Sequence, residues 1–424
     1  MRHVLRLATT VGLLACLALA LPAAAARAEE WPAWRGPRGD GTSTEAGVPL
    51  RWGATENVAW KTPIPGKGHS SPVVWGDRVF VTTCIEAQGA RLLLCLDART
   101  GKVRWKRAVL SARLEKKHKL NSYASSTPAT DGRHVWVTFL DFPHIRVACT
   151  TADGEEVWRT SPGEFHSMHG YCSSLIPYKD TIILNADQDA VLPLRAYIVA
   201  LEKATGKERW RIDRPNRVRS YTPPAVFEAA GRMQLVVSGS KCVASYDPDT
   251  GRPLWLIDGP TEQYCASLVW TDGLFLMTGG FPELHLMGIR PDGSGNVTDT
   301  HVAWHIESRK LAAYVPSPIA HGKYFFVVSD AGLATCLEAA TGRIIWSERL
   351  GKHHSASPVS AEGRLYFPDD AGTMHVIRAG PEFEVLARND LGEECRASPA
   401  ISGGRIFLRG LHHLFAIEGR AQAQ

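Results

Sequence analysis

Residues 196–210 read AYIVALEKATGKERW: an apolar run, a tight turn through Thr205 and Gly206, and a second extended run ending in Trp210. The pattern recurs as LDARTGKVRW ending at Trp105, SYDPDTGRPLW at Trp255 and CLEAATGRIIW at Trp346, with a shortened copy, TTADGEEVW, at Trp158. Looser copies end at Trp304 and Trp60, so seven of the thirteen tryptophans recur at a spacing of roughly 40–55 residues, the range of propeller blades.

Each copy has a physical reading. An acid or its neighbour opens the turn by bonding local amides, and the glycine of Thr-Gly supplies the positive φ that closes a hairpin. Gly101, Gly206, Gly251 and Gly342 take that place, and each tryptophan follows four residues later, so every copy delivers a large ring to the same point of its strand. Burying one such ring removes about 150–250 Å² from water, an upper bound on the order of 5 kcal/mol at about 25 cal/mol/Å². Repeated round a ring, that burial would join neighbouring units.

A second signature, Ser-Pro or a variant followed seven residues later by an apolar strand, marks eight inner strands, at Pro72, Pro128, Leu175, Pro224, Leu268, Pro318, Pro358 and Pro399. Outer strands are expected to end at Trp105, Trp158, Trp210, Trp255, Trp304, Trp346 and, as a departure, Leu386. The last unit, SPAISGGRIFLRGLHHLFAI, contains three strands and no fourth. Residues 57–61 should complete it and bring Trp60 to the docking position. The expectation is an all-β, eight-bladed β-propeller of four-stranded antiparallel blades over 57–418, closed by the N-terminal strand, which leaves only short, protected sheet edges.

The repeated A-x-x-x-T-G-K-x-x-W hairpin resembles the tryptophan-docked repeat of the pyrroloquinoline-quinone (PQQ)-like propellers, which include quinoprotein dehydrogenases and BamB-like propellers of outer-membrane protein assembly. The resemblance covers nearly all of the chain after Asn57. Alcohol-oxidising quinoproteins of this kind use a vicinal Cys-Cys ring, and those with haem use C-x-x-C-H; neither motif occurs here. No catalytic residue therefore transfers. The resemblance implies an exported, non-catalytic binding or scaffold propeller without a cofactor, with a PQQ-dependent dehydrogenase of alcohols or sugars as the alternative.

Residues 1–28 carry Arg2 and Arg6, an apolar run from Val11 to Leu21, and Ala26-Arg27-Ala28, the pattern of a secretory signal, so a periplasmic or secreted protein is expected. Cys16 lies in a poor lipoprotein box. No other stretch reaches the ~18 unbroken apolar residues of a membrane span. Setting aside Arg2, Arg6 and Arg27 leaves 45 basic against 43 acidic residues, a balance that does not suggest nucleic-acid binding. A monomer is expected. Residues 29–56 fit no repeat and should pack on the propeller through Trp31, Trp34 and Trp52, and 419–424 should form a disordered tail. Among the eight cysteines after Cys16, Cys84 and Cys95 share one hairpin and are the best candidates for a bond; the others read as buried free thiols.

Ligands of propellers usually bind where the loops between blades meet the second-to-third-strand loops around the channel mouth. Tyr123, Tyr171, Tyr221, Tyr264 and Tyr314 precede five consecutive inner strands, and His69, His354 and Arg396 fall near the same register in the other three. They read either as a ring for a planar, sugar-like or anionic ligand or as inter-blade packing. Two basic segments, 106–121 and 211–220 (the latter with Arg214, Arg217 and Arg219), favour an anionic partner: an envelope protein, or an anionic small molecule or glycan. His166-x-x-His169 could seat a metal, and Asp292, Ser294, Asn296 and Asp299 alternate as in a calcium loop; neither fixes a full ligand set, and no metal is expected.

Overall fold

A computed structural model describes residues 28–190, 193–214 and 216–419. The expected signal, as far as residue 27, and residues 420–424 of the expected tail lie outside the described residues. Eight antiparallel sheets form an eight-bladed propeller. Blades 1 to 7 span 73–111, 129–164, 176–214, 225–258, 269–307, 319–349 and 359–390. Blade 8 joins Ala400–Ser402, Arg405–Arg409 and His413–Glu418 to Val58–Pro63 from the other end of the chain. Trp60 pairs with Ala416 there, so the ring closes through both ends, as expected.

The tryptophans do not end their strands. Each is the third residue of a strand that continues past it, as in Val103–Ser111 and Glu208–Arg214. The cross-strand partner explains the small-residue slot: Trp105 faces Cys95, Trp158 faces Cys149, Trp210 faces Ala200, Trp255 faces Ser245, Trp304 faces Gly288 and Trp346 faces Cys336. A small side chain opposite the indole leaves it room on the shared face. In blade 7 the equivalent residue is Ala387, not Leu386, and its partner is the larger Val376.

Each docked indole reaches the following blade. Trp60, Trp105, Trp158, Trp210, Trp304 and Trp346 donate Nε1–H to the carbonyls of Ala98, Ala152, Lys203, Pro248, Ala339 and Gly380, all in the next blade's third-to-fourth-strand turn. The turn glycine is fixed twice over: Gly206 has φ 71°, and a Cβ there would lie 2.5 Å from the Trp158 ring. The two exceptions have one cause. Blade 8 is split at this turn by the chain ends, and blade 7 carries no tryptophan; Trp52 instead lies along its outer strand, donating its backbone N–H to Asn389 Oδ1 and stacking on Tyr366 at 6.5 Å. Blade 5 replaces the short turn by residues 290–301, and Trp255 turns to Gln234 Oε1 at 2.8 Å. Within that turn Gly295–Asn296 adds a parallel fifth strand to blade 4. Asn296 bonds Asp258 and Asp292 faces His301, so the alternating acids and amides of this segment point to separate partners.

The Ser-Pro signature forms a girdle round the channel. Ser71, Thr127, Ser267, Ser317 and Ser357 donate their backbone N–H to the hydroxyls of Thr127, Ser174, Ser317, Ser357 and Ser398 on the following blade, at 2.9–3.0 Å. In blade 4 the position is Pro223, which has no N–H, and its carbonyl accepts from Ser267 Oγ.

Residues 29–53 enter this channel. Trp31 exchanges two hydrogen bonds with Val74, Pro32 O accepts from Thr130 N–H, Arg35 Nη2 donates to Pro318 O at 2.6 Å, and Gly41 and Ser43 bracket Ser360. These contacts use the channel-facing edges of inner strands in blades 1, 2 and 7 and the residue leading into blade 6. Glu30 and Glu45 accept from Gly76 and Gly404 N–H in first-to-second-strand turns, and Glu362 of the blade 7 turn accepts from the segment's own Gly47 and Val48, so the segment seals the face opposite the inter-blade loops. Trp31 and Trp52 are buried and Trp34 half-buried.

The described cysteines are all free. Cys84 and Cys95 are not bridged, because Cys84 pairs with Arg91 and Cys95 with Phe80. That offset is about 13 Å along the strand at about 3.3 Å per residue, beyond the ~4.4–6.8 Å a disulfide spans. Burial pushes the thiols of Cys95, Cys149 and Cys336 up to about 12, the mark of inert core groups.

Candidate functional site on the open face

The face away from the N-terminal segment is built from the inter-blade connections, among them 112–128, 165–175, 308–318 and 391–399, and from the second-to-third-strand loops. The eight register-matched residues stand on it at different depths. Tyr264 is fully buried, its hydroxyl donating to Gly259 O. Tyr171 is buried edge-on against Phe165 at 5.1 Å. Tyr221 is buried with its hydroxyl between Ser167 Oγ at 2.7 Å and His169 Nδ1 at 3.0 Å. Tyr123 is half-buried beneath Lys117 Nζ, 5.0 Å from its ring, and Tyr314 is half-buried with its N–H on Asp330 Oδ2. His354 is buried, Nδ1–H bonded to Pro368 O. His69 and Arg396 meet on one cavity between blades 1 and 8.

The two basic segments differ. Arg214 is a correction to the expected exposed loop: its side chain is 0% exposed and held by Asp187 at 2.9 Å, with Tyr246 Oη and Gly239 O completing the guanidinium's bonds. Arg219 pairs with Asp189 at 3.0 Å, Arg211 with Glu208, and Arg217 is half-buried. Asp187 and Asp189 come from the blade 3 second-to-third-strand loop, outside the basic segment 211–220. In the other segment Glu115 is committed to buried Arg91 at 2.5 Å, while Arg113, Lys116 and Lys119 are exposed and without ion-pair partners among the described residues. Positive charge on this face therefore concentrates over blade 1.

Exposed apolar side chains gather beside it, a feature the sequence reading missed. Leu120, Phe142, Met168 and Phe281 are 45%, 55%, 63% and 53% exposed, and all four lie in loops of this face. Three are linked through a cluster of histidines. Leu120 N–H bonds His118 Nδ1, the His118 and His169 rings meet at 5.6 Å, Met168 precedes His169, and Phe142 packs edge-on to His166 at 5.3 Å. His166 and His169 thus serve this patch: His166 Nε2 is bonded to Glu164 and His169 to Tyr221. The signal available in sequence was the Phe-Pro pair at 142–143, repeated at 281–282 on the same kind of loop.

A family model described as outer membrane protein assembly factor BamB matches residues 50–141, 144–291 and 293–382. A polyvinylalcohol dehydrogenase of Sphingopyxis sp. (strain 113P3) is 26% identical over 220 residues, 49% of this chain and 31% of that protein. One of Pseudomonas sp is 26% identical over 165 residues, 36% of this chain and 24% of that protein. The chain thus spans less than a third of the length of these relatives. Among solved structures, BamB from Moraxella catarrhalis superposes with TM-score 0.59 at 11% identity, over 87% of this chain and 98% of that one. A europium-containing methanol dehydrogenase gives 0.66 at 11%, over 91% and 90%. A quinohemoprotein alcohol dehydrogenase from Comamonas testosteroni gives 0.63 at 12%, over 93% and 81%. At these identities the structural likenesses speak for the fold alone. The match to the family model covers most of the chain, and the chain belongs to the family of outer membrane protein assembly factor BamB.

Proposed function

We propose that this chain is an exported, non-catalytic binding propeller whose open face engages an acidic, partly apolar protein segment in the cell envelope. The observation that supports this best is the patch of Leu120, Phe142 and Met168 beside unpaired Arg113, Lys116 and Lys119. Clustered exposed apolar side chains rimmed by one sign of charge mark interaction surfaces. Export rests on the charge and apolar pattern of residues 1–28.

A quinone-dependent dehydrogenase is the second reading, favoured by the dehydrogenases among the relatives. The residues at the channel mouth fit that group poorly. A planar tricarboxylate asks for several free cations round a slot of about 300 Å³ or more. Arg214 and Arg219 are instead committed to Asp187 and Asp189, and the cavity beside Arg396 measures about 10 Å³.

The reading is tested by affinity capture from envelope extracts with the full chain and with the combined variant Leu120→Ser, Phe142→Ser, Met168→Ser. A partner held by the parent, lost by the variant and released by salt supports it. Capture that the variant leaves unaltered, or a stoichiometric quinone with dye-linked alcohol oxidation, overturns it.

A further inference from the structure

Arg409 ends the second strand of blade 8 and is 1% exposed. Its Nε donates to Gly410 O at 3.2 Å, but Nη1 and Nη2 are buried and have no hydrogen-bond partner among the described residues. The nearby carboxylates are engaged elsewhere. Glu393 accepts from His413 Nδ1 at 2.6 Å and from the N–H groups of His412 and His413, and Glu394 is bonded to Arg396 at 3.3 Å. Cys395 is no counter-ion, since burial pushes its thiol up to about 12. His69 supplies no negative charge either: burial, with Arg396, Arg409 and Lys117 nearby, holds it down to about 4 and therefore neutral at pH 7. Arg409 and Arg396 line one cavity of about 10 Å³ with Gly68, His69, Glu394 and Leu411.

A buried guanidinium with its fork unpaired is costly, and a single carboxylate oxygen, with its two lone pairs, can accept from both terminal nitrogens. The cavity admits about one water-sized group, so a single carboxylate oxygen can enter, whereas a whole sulfate or phosphate cannot. We propose that this cavity between blades 8 and 1 is a carboxylate-binding site, in which Arg409 receives the inserted oxygen and Arg396 the outer one. The carboxylate is either an acidic side chain of a polypeptide or a small free acid. The site names the chemistry of a group docking on the open face, and to that extent rests on the function proposed above.

Thermal unfolding of the full chain at pH 7 and constant ionic strength, with sodium acetate replacing sodium chloride, tests the site. Acetate should raise the transition temperature of the parent saturably, and Arg409→Met should abolish the rise; Arg396→Gln should weaken acetate binding about tenfold or less, because Arg396 is the outer partner. Without acetate, Arg409→Met should melt at or above the parent, because it removes a buried cation without a partner. An N-acetylated tetraglutamate peptide binding more tightly than acetate identifies a polypeptide source, and acetate binding without tetraglutamate competition identifies a free acid. Equal acetate responses in parent and Arg409→Met, or none in either, would overturn the site and leave the cavity to water. Failure here with capture through Leu120, Phe142 and Met168 intact would sink the cavity and not the binding face.

Discussion

The two faces of this propeller are built from the same repeats and end in opposite conditions. On one, residues 29–53 bond the channel-facing strand edges of blades 1, 2 and 7 and the first-to-second-strand turns, and bury Trp31 and Trp52. On the other, Leu120, Phe142, Met168 and Phe281 face solvent, and beneath the surface Arg409 keeps two nitrogens without a partner among the described residues. A repeat fold makes both faces alike only as far as its turns are alike. Where an extra segment satisfies the strand edges the face becomes structural; where the loops are irregular and their groups unmatched, binding chemistry has room.

The largest effect should come from breaking the sealed side. A chain beginning at Thr62 lacks residues 29–53 and most of blade 8's fourth strand, and should lose its cooperative unfolding transition in denaturant. Trp60→Ala, which keeps the strand but removes the indole bonded to Ala98 O, should cost about 3–5 kcal/mol. If the shortened chain melts like the parent, closure through both ends is wrong.

Next comes the contrast between the two basic segments. Arg214→Ser strands the buried Asp187 carboxylate and should destabilise by about 3–5 kcal/mol by chemical denaturation. Changing Arg113, Lys116 and Lys119 together to Ser should alter stability by no more than about 0.5 kcal/mol while slowing partner association. Equal stability losses would erase the distinction between them.

A smaller, pH-dependent effect separates the open face from the rest. Burial holds His354 down to about 4 and His69 to about the same value, from an ordinary 6.5. The unfolded chain therefore takes up protons that the folded chain refuses. Stability should be full above about pH 6.5 and fall as pH drops toward 4, by up to about 1.4 kcal/mol per pH unit for each histidine, less for the partly exposed His69. Glu29 is held near 2, despite burial, by bonds from Arg38, Thr44 and Ser43, so its stabilisation is lost only below the usual carboxylate range. His354→Gln should flatten the slope between pH 6.5 and 4; an unchanged slope would place the proton uptake elsewhere.

What was legible in sequence follows from whether its cause is local. The Thr-Gly hairpin, the tryptophan four residues later and the Ser-Pro start of each inner strand are read within a dozen residues, and each begins or registers its strand as expected, Val73 after Pro72 and Ala400 after Pro399 among them. The closing strand was legible because a missing fourth strand and an orphan fourth strand complement one another. The site was not. Arg214 looked free because its partner, Asp187, lies 27 residues away on another loop. The tyrosines share a register but not a depth: Gly279 lets Tyr264 pack inward, its absent Cβ lying 3.1 Å from that ring, while Tyr314 stays half-buried. The Cys84 and Cys95 pairing failed on strand register, which the hairpin's length does not fix.

The division between a sealed face and a proposed binding face is tested most directly by site-specific photocrosslinking in the native cell. A photoreactive residue replacing Phe142 or Met168 should give a discrete crosslinked partner, and one replacing Glu362 or Asp77 on the sealed face should give none. Crosslinks confined to Glu362 and Asp77, with none from Phe142 or Met168, would contradict the account.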